Sequence, residues 1–192
     1  MKIIIAGAYA IGTHLARLFA REHENIILID DDEERLARGL DDLDLMTINA
    51  SPTSIKALKD AEVDDTDIFI AVTPDESTNI TACVLAKAMG AKKTVAKIDN
   101  SEYMERETQE FFKKLGVSSL IYPEMLAATD INNGLKMSWV RQRWDVHDGA
   151  LVMMGIKLRE SCEILNQPLR TLCGPDDPYH VVAIKRMNDT II

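Results

Sequence analysis

The sequence contains few cysteines, and they are not placed for a disulfide framework or a metal site. There are three among 192 residues, Cys83, Cys162 and Cys173, and an odd number cannot pair completely. This sparse usage favours a reducing cytosol over an oxidising compartment. Cys83 lies in an apolar stretch of helical periodicity, which indicates a small buried side chain rather than a reactive thiol.

Basic charge and long apolar runs are also lacking. Lys and Arg number 22 against 31 Asp and Glu, which gives a net charge of −9. Nucleic acid and anionic membrane surfaces both attract basic patches, so neither is expected as the main partner. No apolar run approaches the roughly 20 residues that cross a bilayer, so direct membrane insertion is not expected. The first residues enter a strand pattern directly, which predicts no signal peptide.

What the chain does contain is a strong pattern in residues 2–30. The β-branched run Ile3–Ala6 predicts a buried strand, and helical periodicity begins after Gly12. A second apolar run ends in Asp30, eighteen residues beyond Gly12. This order of strand, glycine turn, helix and acid-tipped strand is the βαβ unit that binds adenosine dinucleotides.

Each position of this unit has a physical role. Gly7 allows a sharp turn from strand to helix, and Gly12 allows the helix to pack closely on the sheet. The first helical N–H groups and the helix dipole favour a phosphate there. Asp30 would accept hydrogen bonds from ribose hydroxyls and repel a 2′-phosphate, which favours NAD over NADP. Tyr9 replaces the middle glycine and should crowd the diphosphate, so a Rossmann-like domain without a dinucleotide stays an alternative.

Strand and helix patterns alternate as far as residue 137. Further strands are predicted at 45–48, 67–72, 92–98 and 119–122, and helices at 31–43, 52–63, 79–89, 102–115 and 123–137. Ser51 is predicted as the N-cap of the second of these helices, with Pro52 in its first turn. The pattern therefore predicts an α/β fold, a doubly wound parallel six-stranded Rossmann-like sheet with right-handed crossovers.

Polar side chains follow two of the predicted strands, at the edge where doubly wound sheets bind ligands. Thr73 and Asn79 are candidates to line a nucleotide cleft, and helix capping with turn formation is the equal alternative. Lys97, near the end of the fifth strand, is placed to meet a phosphate or else is a solvated lysine.

The chain changes character after the sixth strand. Residues 1–122 are expected to form the nucleotide-binding domain, and residues 123–148 a crossover helix and linker that carries both tryptophans. Large apolar groups outside the sheet predict dimerisation through 124–146, with packing on the chain's own domain as the alternative. We expect residues 149–192 to be the front of a small, truncated α+β domain. Within it, strands are predicted at 149–158 and 179–186, with a hairpin turn at 188–190.

Several segments together resemble one family. They are GAYAIGTHLARLF, IILID, TINASP, IAVTPDESTNITACVLAKAMGAKKTVAKID and IYPE. These segments are similar to the N-terminal domain, called KTN or RCK, of the regulatory subunits of Trk-type potassium uptake (the TrkA family). The tail from Leu151, which includes YHVVAIKRMNDTII, resembles the start of that family's C-terminal regulatory domain. The resemblance covers essentially the whole chain.

This resemblance implies a function and a set of site residues. Members of the family are cytosolic non-enzymes that bind NAD(H) or ATP/ADP and form homodimers or higher oligomers through the helix after the sixth strand. They gate a membrane potassium transporter subunit, so the chain would associate peripherally with the inner face of the membrane. The implied cofactor-binding positions are Gly7, Tyr9, Ala10, Ile11, Gly12, Asp30, Asp31, Asn49, Thr73, Asn79 and Lys97. The family commonly has glycine where Tyr9 stands, and often arginine, with its bidentate geometry, where Lys97 stands.

Two other functions stay open beside this one. An NAD-linked oxidoreductase needs a substrate domain and a positioned acid or base. The segment after residue 148 is too short for a substrate lobe. The histidines are scattered along the chain, at His14, His23, His147 and His180. The third possibility is a structural assembly module with a degenerate nucleotide site, which Tyr9 keeps open.

Overall fold

Within the part of the chain that the structure describes, six parallel strands form the centre of residues 1–130, the first of two units in this computed structural model. The strands are β1 (Lys2–Ala6), β2 (Asn25–Asp30), β3 (Met46–Asn49), β4 (Ile68–Ala71), β5 (Lys93–Lys97) and β6 (Ser119–Ile121). They lie in the order β3-β2-β1-β4-β5-β6. The second unit is residues 131–192. The described residues are 1–22, 24–38, 43–136, 140–147, 149–174, 176–186 and 189–191.

Helices connect the strands of this sheet. They are α1 (Ala10–Arg21), α2 (Glu33–Ala37), α3 (Ile55–Asp60), α4 (Glu76–Ala88) and α5 (Arg106–Lys114), with α6 (Pro123–Lys136) after the last strand. Because β1 lies between β2 and β4, the strand order reverses at β1. Ligands of doubly wound sheets bind at such a reversal, beside the carboxyl ends of the strands. The predicted doubly wound parallel sheet of six strands is confirmed.

The central strand β1 is buried on both faces. Ile4 and Ala6 belong to one core cluster, and Ile3 and Ile5 belong to the other. Alternate residues of a strand point to opposite faces, so a central parallel strand requires an unbroken apolar run. On α4, Cys83 is wholly buried as predicted, and burial raises the pKa of its thiol to about 12.

The second connecting helix, α2, is shorter than the prediction of residues 31–43. Helix α2 begins at Glu33 and ends at Ala37. The next residue, Arg38, has φ −71° and ψ 99°, an extended backbone that breaks the helical hydrogen-bond ladder. Residues 39–42 of the prediction lie outside the described residues.

Helix α3 begins later than predicted. Its N-cap is Ser54, whose Oγ accepts a hydrogen bond from the N–H of Ala57 at 3.3 Å. The prediction of Ser51 as the cap is wrong, because the Ser51 hydroxyl bonds that of Thr53, 3.0 Å away, in the preceding turn.

Two further helices start or divide differently from the prediction. Helix α4 starts at Glu76 because Asp75 caps it, accepting a hydrogen bond from the N–H of Thr78 at 2.7 Å. The helix predicted at 102–115 is a 3₁₀ turn, Ser101–Met104, followed by α5. The extended backbone of Glu105, with ψ 142°, separates the two.

The segment predicted as a helix and linker contains a strand. Residues 140–146 form β7 (Val140–Val146), which pairs antiparallel with β8 (Leu151–Ile156). The strand predicted at 149–158 is therefore present within narrower bounds. Trp139, one of the two tryptophans of the dimerisation prediction, lies outside the described residues.

The end of the second unit is a small antiparallel pair. After the short helix α7 (Leu169–Leu172), β9 (Ile184–Arg186) pairs with β10 (Asp189–Ile191). An antiparallel hairpin is present there, but the predicted position of its turn is wrong, because Asp189 and Thr190 lie in β10 and pair with Arg186 and Lys185. Its first strand begins at Ile184 rather than at residue 179. Asn188 of the predicted turn lies outside the described residues. No helix among the described residues is long and apolar enough to cross a membrane.

Candidate functional site

The turn between β1 and α1 depends on two glycines. Gly7 has φ +109°, and a Cβ added there would lie 2.9 Å from the backbone N of Thr73. At Gly12 an added Cβ would lie 1.8 Å from the carbonyl oxygen of Gly7. Gly12 therefore makes room chiefly for the carbonyl of the turn, whereas the prediction gave the sheet as its neighbour. On the sheet side the nearest atom is Cγ2 of Val72, at 3.4 Å.

The N-terminus of α1 has no side-chain cap. Its N-cap residue is Tyr9, with an extended backbone of φ −80° and ψ −175° and no side-chain hydrogen bond to the helix. By contrast, Asp32, Ser54 and Asp75 cap α2, α3 and α4. Because the first N–H groups of a helix lack partners within it, the first turn of α1 offers donors to an anion.

The side chain of Tyr9 lies against α2. The guanidinium carbon of Arg35 is 4.4 Å from the centre of the Tyr9 ring, a cation–π contact. Tyr9 is 37% exposed. The ring is predicted to crowd a diphosphate, and in the structure it lies against the guanidinium of Arg35.

Asp30 is buried at the end of β2, with 2% of its side chain exposed. Its Oδ2 accepts from the N–H of Ala8 at 2.6 Å. Its Oδ1 accepts from the N–H of Asp32 at 2.9 Å and from Arg35, with Nε at 2.9 Å and an Nη at 2.7 Å. Burial by itself would raise the pKa of Asp30, but these hydrogen bonds, led by that of Arg35, outweigh it and hold the pKa below its usual value.

Arg35 was not predicted from the sequence, although its guanidinium contacts several side chains of the site. Besides Asp30, its guanidinium contacts Asp31 and Asp32, each at 2.8 Å. The hydrogen bond to Asp30 raises the pKa of Arg35. A usable signal was present in the sequence, because positions 31, 32 and 35 have the i,i+4 and i,i+3 spacing of ion pairs on a helix.

An open pocket of about 510 Å³ lies beside this group. It is bounded by the turn after β1, by α1 and by α2 with its two capping residues. Three arginines and one aspartate give its lining a positive balance. The lining residues are Ala8, Tyr9, Ala10, Thr13, Arg17, Asp32, Arg35 and Arg38.

The other predicted site residues lie at the ends of neighbouring strands. Asn49 on β3 stands opposite Asp30 in the parallel register and is exposed. Asp31 is 67% exposed, and Ala10 and Ile11 begin α1. The fold thus brings the first turn of α1 and the ends of β2 and β3 to one edge of the sheet.

Asn79 and Thr73 form a buried network rather than an open surface. The Oδ1 of Asn79 accepts from the N–H and the hydroxyl of Thr73, both at 2.8 Å. Its Nδ2 donates to the carbonyls of Thr73 at 2.9 Å and Lys97 at 3.0 Å. These contacts match the turn interpretation, and they tie the ends of β4 and β5 together.

The charge of Lys97 is balanced within the chain. Its Nζ lies 2.5 Å from Oδ1 of Asp99, and 12% of its side chain is exposed. The adjacent backbone is held by Glu76, whose carboxylate accepts from the N–H groups of Asp99 and Asn100. Among the described residues, no group of histidine, cysteine and acidic side chains is placed to hold a metal ion.

Comparison with known sequences gives a consistent result. Residues 3–123 match the TrkA-N domain. A Trk system potassium uptake protein TrkA homolog of Methanothermobacter thermautotrophicus is 27% identical over 192 residues, which is all of this chain and 86% of that protein. Trk system potassium uptake protein TrkA of Haemophilus influenzae is 37% identical over 134 residues, which is 68% of this chain and only 29% of that protein.

Solved structures show the same fold at low sequence identity. The TrkA-N domain of inner membrane protein ybaL from Escherichia coli aligns with a TM-score of 0.60 at 12% identity, over 70% of this chain and 96% of that chain. The GsuK RCK domain aligns with a TM-score of 0.58 at 22% identity, over 71% of this chain and 28% of that chain. The resemblance drawn from the sequence segments is confirmed: the chain belongs to the TrkA-N domain family.

Proposed function

We propose that this chain is a nucleotide-sensing regulatory subunit of a potassium-uptake system and not an enzyme. Family membership and relatives named Trk system potassium uptake proteins support the potassium link. The observation that carries the nucleotide part is the uncapped N-terminus of α1 beside the buried carboxylate of Asp30, at the point where the strand order reverses.

The ligand that this geometry favours contains an adenosine 5′-phosphate. The first turn of α1, at Ala10 and Ile11, would receive the phosphates. Gly7 and Gly12 shape that turn, while Asp30, Asp31 and Asn49 stand where a ribose would lie. Thr73, Asn79 and Lys97 would support the crevice on the β4–β5 side.

Solved structures of proteins with this fold support this ligand class. GsuK has been solved bound to NAD and bound to ADP, and the Shewanella denitrificans Kef C-terminal domain has been solved with AMP. NAD, ADP and AMP share the adenosine 5′-phosphate group. NAD(H) and ATP/ADP are therefore the ligands to test first.

Three segments of the chain would have different roles. Residues 1–122 would bind the nucleotide, residues 123–148 would join copies of the chain, and residues 149–192 would belong to a regulatory domain. Nucleotide binding would act by favouring one of two states of the assembly, and a membrane potassium transporter would respond to that difference. The chain would then be cytoplasmic and held at the membrane by its partner.

An NAD-linked oxidoreductase is the rival proposal. Such an enzyme needs an acid or base beside the nicotinamide. His14 is exposed on α1, and His147 and His180 belong to the second unit. His23 lies outside the described residues.

Titration calorimetry with NAD, NADH, ADP and ATP tests the proposal, with NADH oxidation assayed against small alcohols and hydroxy acids. We expect saturable binding of at least one nucleotide and no turnover. Turnover would support the oxidoreductase. Absence of binding would favour an assembly module, and recovery of binding in Tyr9→Gly would then assign the blockage to that ring.

A further inference from the structure

Within the part of the chain that the structure describes, four donors surround the carboxylate of Asp30. A carboxylate offers about four lone-pair positions. The backbone N–H groups of Ala8 and Asp32 and two N–H groups of Arg35 approach at 2.6 to 2.9 Å. Three of the four donors approach Oδ1, and 2% of the side chain is exposed, so a ribose hydroxyl reaches this oxygen only if one of these donors leaves.

The donors of Arg35 are the ones that can leave. The N–H groups of Ala8 and Asp32 belong to the backbone around β1 and β2, whereas the Arg35 guanidinium ends a flexible side chain. Its planar cation also lies over the Tyr9 ring. An adenosine can replace both contacts of Arg35. Its ribose has two adjacent hydroxyl donors for Asp30, and its base has a flat face for the Tyr9 ring.

We propose that the contacts of Arg35 with Asp30 and Tyr9, here named the Arg35 latch, hold the ribose site closed until a nucleotide displaces them. The proposal rests on the proposed function above and specifies how its site is regulated. Arg35 sets the affinity for the ribose without being a ligand of the nucleotide.

The latch also connects the site to α2. Arg35 bonds Asp31 and Asp32 as well as Asp30, so its release changes the contacts of the whole β2–α2 connection. A ligand shifts an equilibrium between states only through contacts that differ between them. Exchange of Arg35 for a ribose is such a difference.

The test measures dissociation constants by calorimetry for 5′-AMP and for 2′,3′-dideoxy-AMP, with the unaltered chain and with Arg35→Met. Methionine keeps a long side chain but removes the charge and the donors. We expect Arg35→Met to bind 5′-AMP about tenfold more tightly, because two charge-assisted hydrogen bonds no longer compete. Binding of 2′,3′-dideoxy-AMP should gain clearly less, since that compound keeps the base that would replace Arg35 over Tyr9 but has no hydroxyl to replace it at Asp30.

Arg21→Met is the matched control. Arg21 is exposed in the last turn of α1 and does not line the pocket beside Asp30. Its replacement should leave both dissociation constants unchanged. If Arg35→Met does not fold, as judged by circular dichroism, Arg35→Lys replaces it, because lysine lacks the bidentate geometry and should shift the 5′-AMP affinity in the same direction.

The outcomes separate the latch from the proposed function. Weaker or equal binding of 5′-AMP by Arg35→Met overturns the latch and leaves nucleotide binding in place. An equal gain for 5′-AMP and 2′,3′-dideoxy-AMP overturns it also, because the ribose hydroxyls would then not be what replaces Arg35. Failure of both proteins to bind any adenosine nucleotide overturns the proposed function, and the latch with it.

Discussion

Asp30 has a structural role in addition to the ligand-binding role that its position in the sequence predicts. Its position at the end of β2 marks the ribose site, but its oxygens also fix the N–H of Ala8 in the turn before α1. The same carboxylate neutralises Arg35. A substitution there therefore affects the fold of the site as well as any ligand.

Asp30→Ala should lower the free energy of unfolding by about 3 kcal/mol. The buried N–H of Ala8 and the guanidinium of Arg35 both lose their acceptor. Urea unfolding followed by circular dichroism measures the change. Asp31→Ala is the control, because Asp31 is 67% exposed and its loss should cost less than about 1 kcal/mol. Equal effects of the two substitutions would contradict the assignment of Asp30.

The contribution of Asp30 to stability should disappear in acid. Because the pKa of Asp30 is lowered by folding, the unfolded chain takes up the proton first as the pH falls. The contribution is complete at neutral pH and is lost below about pH 4. Unfolding of the unaltered chain and of Asp30→Ala should therefore differ most at pH 7 and converge towards pH 3. A constant difference would show that the carboxylate is not the titrating group.

Two glycines in helices should respond in opposite ways to alanine. Gly12→Ala places a Cβ 1.8 Å from the Gly7 carbonyl oxygen. We therefore expect the free energy of unfolding to fall by more than about 3 kcal/mol, or the protein not to fold. At Gly134 on α6 an added Cβ has no neighbour within 4 Å. Gly134→Ala should therefore raise the free energy of unfolding by about 0.5–1 kcal/mol, because alanine has the higher helix propensity. Thermal unfolding of the two variants compares them directly. A Gly12→Ala protein of normal stability would mean that the turn can shift.

At the scale of elements, α4 holds two strands of the sheet together. Asp75 caps its N-terminus, and four positions later Asn79 bonds the ends of β4 and β5. The amide of Asn79 uses both its acceptor and its donors in this network. An isosteric change from amide to acid therefore separates the chemistry of the network from its packing.

Asn79→Asp should destabilise the protein by about 2–4 kcal/mol at pH 7, because a carboxylate would face the carbonyls of Thr73 and Lys97. A protonated acid can donate to one carbonyl, so the pKa of the new carboxyl should be raised. The variant should then recover stability relative to the unaltered chain as the pH falls towards 5. Urea unfolding at pH 5 and 7 measures this. An equal loss at both values would indicate a packing defect instead.

At the scale of the whole molecule, α6 exposes apolar side chains. Ile131 is 64% exposed and Leu135 is 78% exposed, at the i,i+4 spacing of one helix face. Exposed apolar patches of this kind mark interaction sites. This supports the proposed association of copies through residues 124–146.

The chain should be at least a dimer at micromolar concentration, and Ile131→Glu should shift it towards the monomer. A charge at the centre of an apolar contact would have to be desolvated on association. Light scattering coupled to size exclusion measures the mass. Leu18→Glu is the control, since Leu18 is 45% exposed on α1, away from the proposed segment in sequence. If the unaltered chain is a monomer, the proposed association through residues 124–146 is wrong.

The order of strands and helices in the first 122 residues, and the turn at Gly7 and Gly12, could be predicted without a structure. These follow from local causes, because apolar periodicity and the backbone freedom of glycine act within a few residues. The contacts between groups that are distant in the sequence could not be predicted in this way. The pairing of Arg35 with Asp30 and Tyr9, the use of Asn79 inside the sheet edge, and the strand β7 depend on distant partners. Hydrogen bonds and strand pairs form between atoms that folding brings together, so one-dimensional spacing does not specify them.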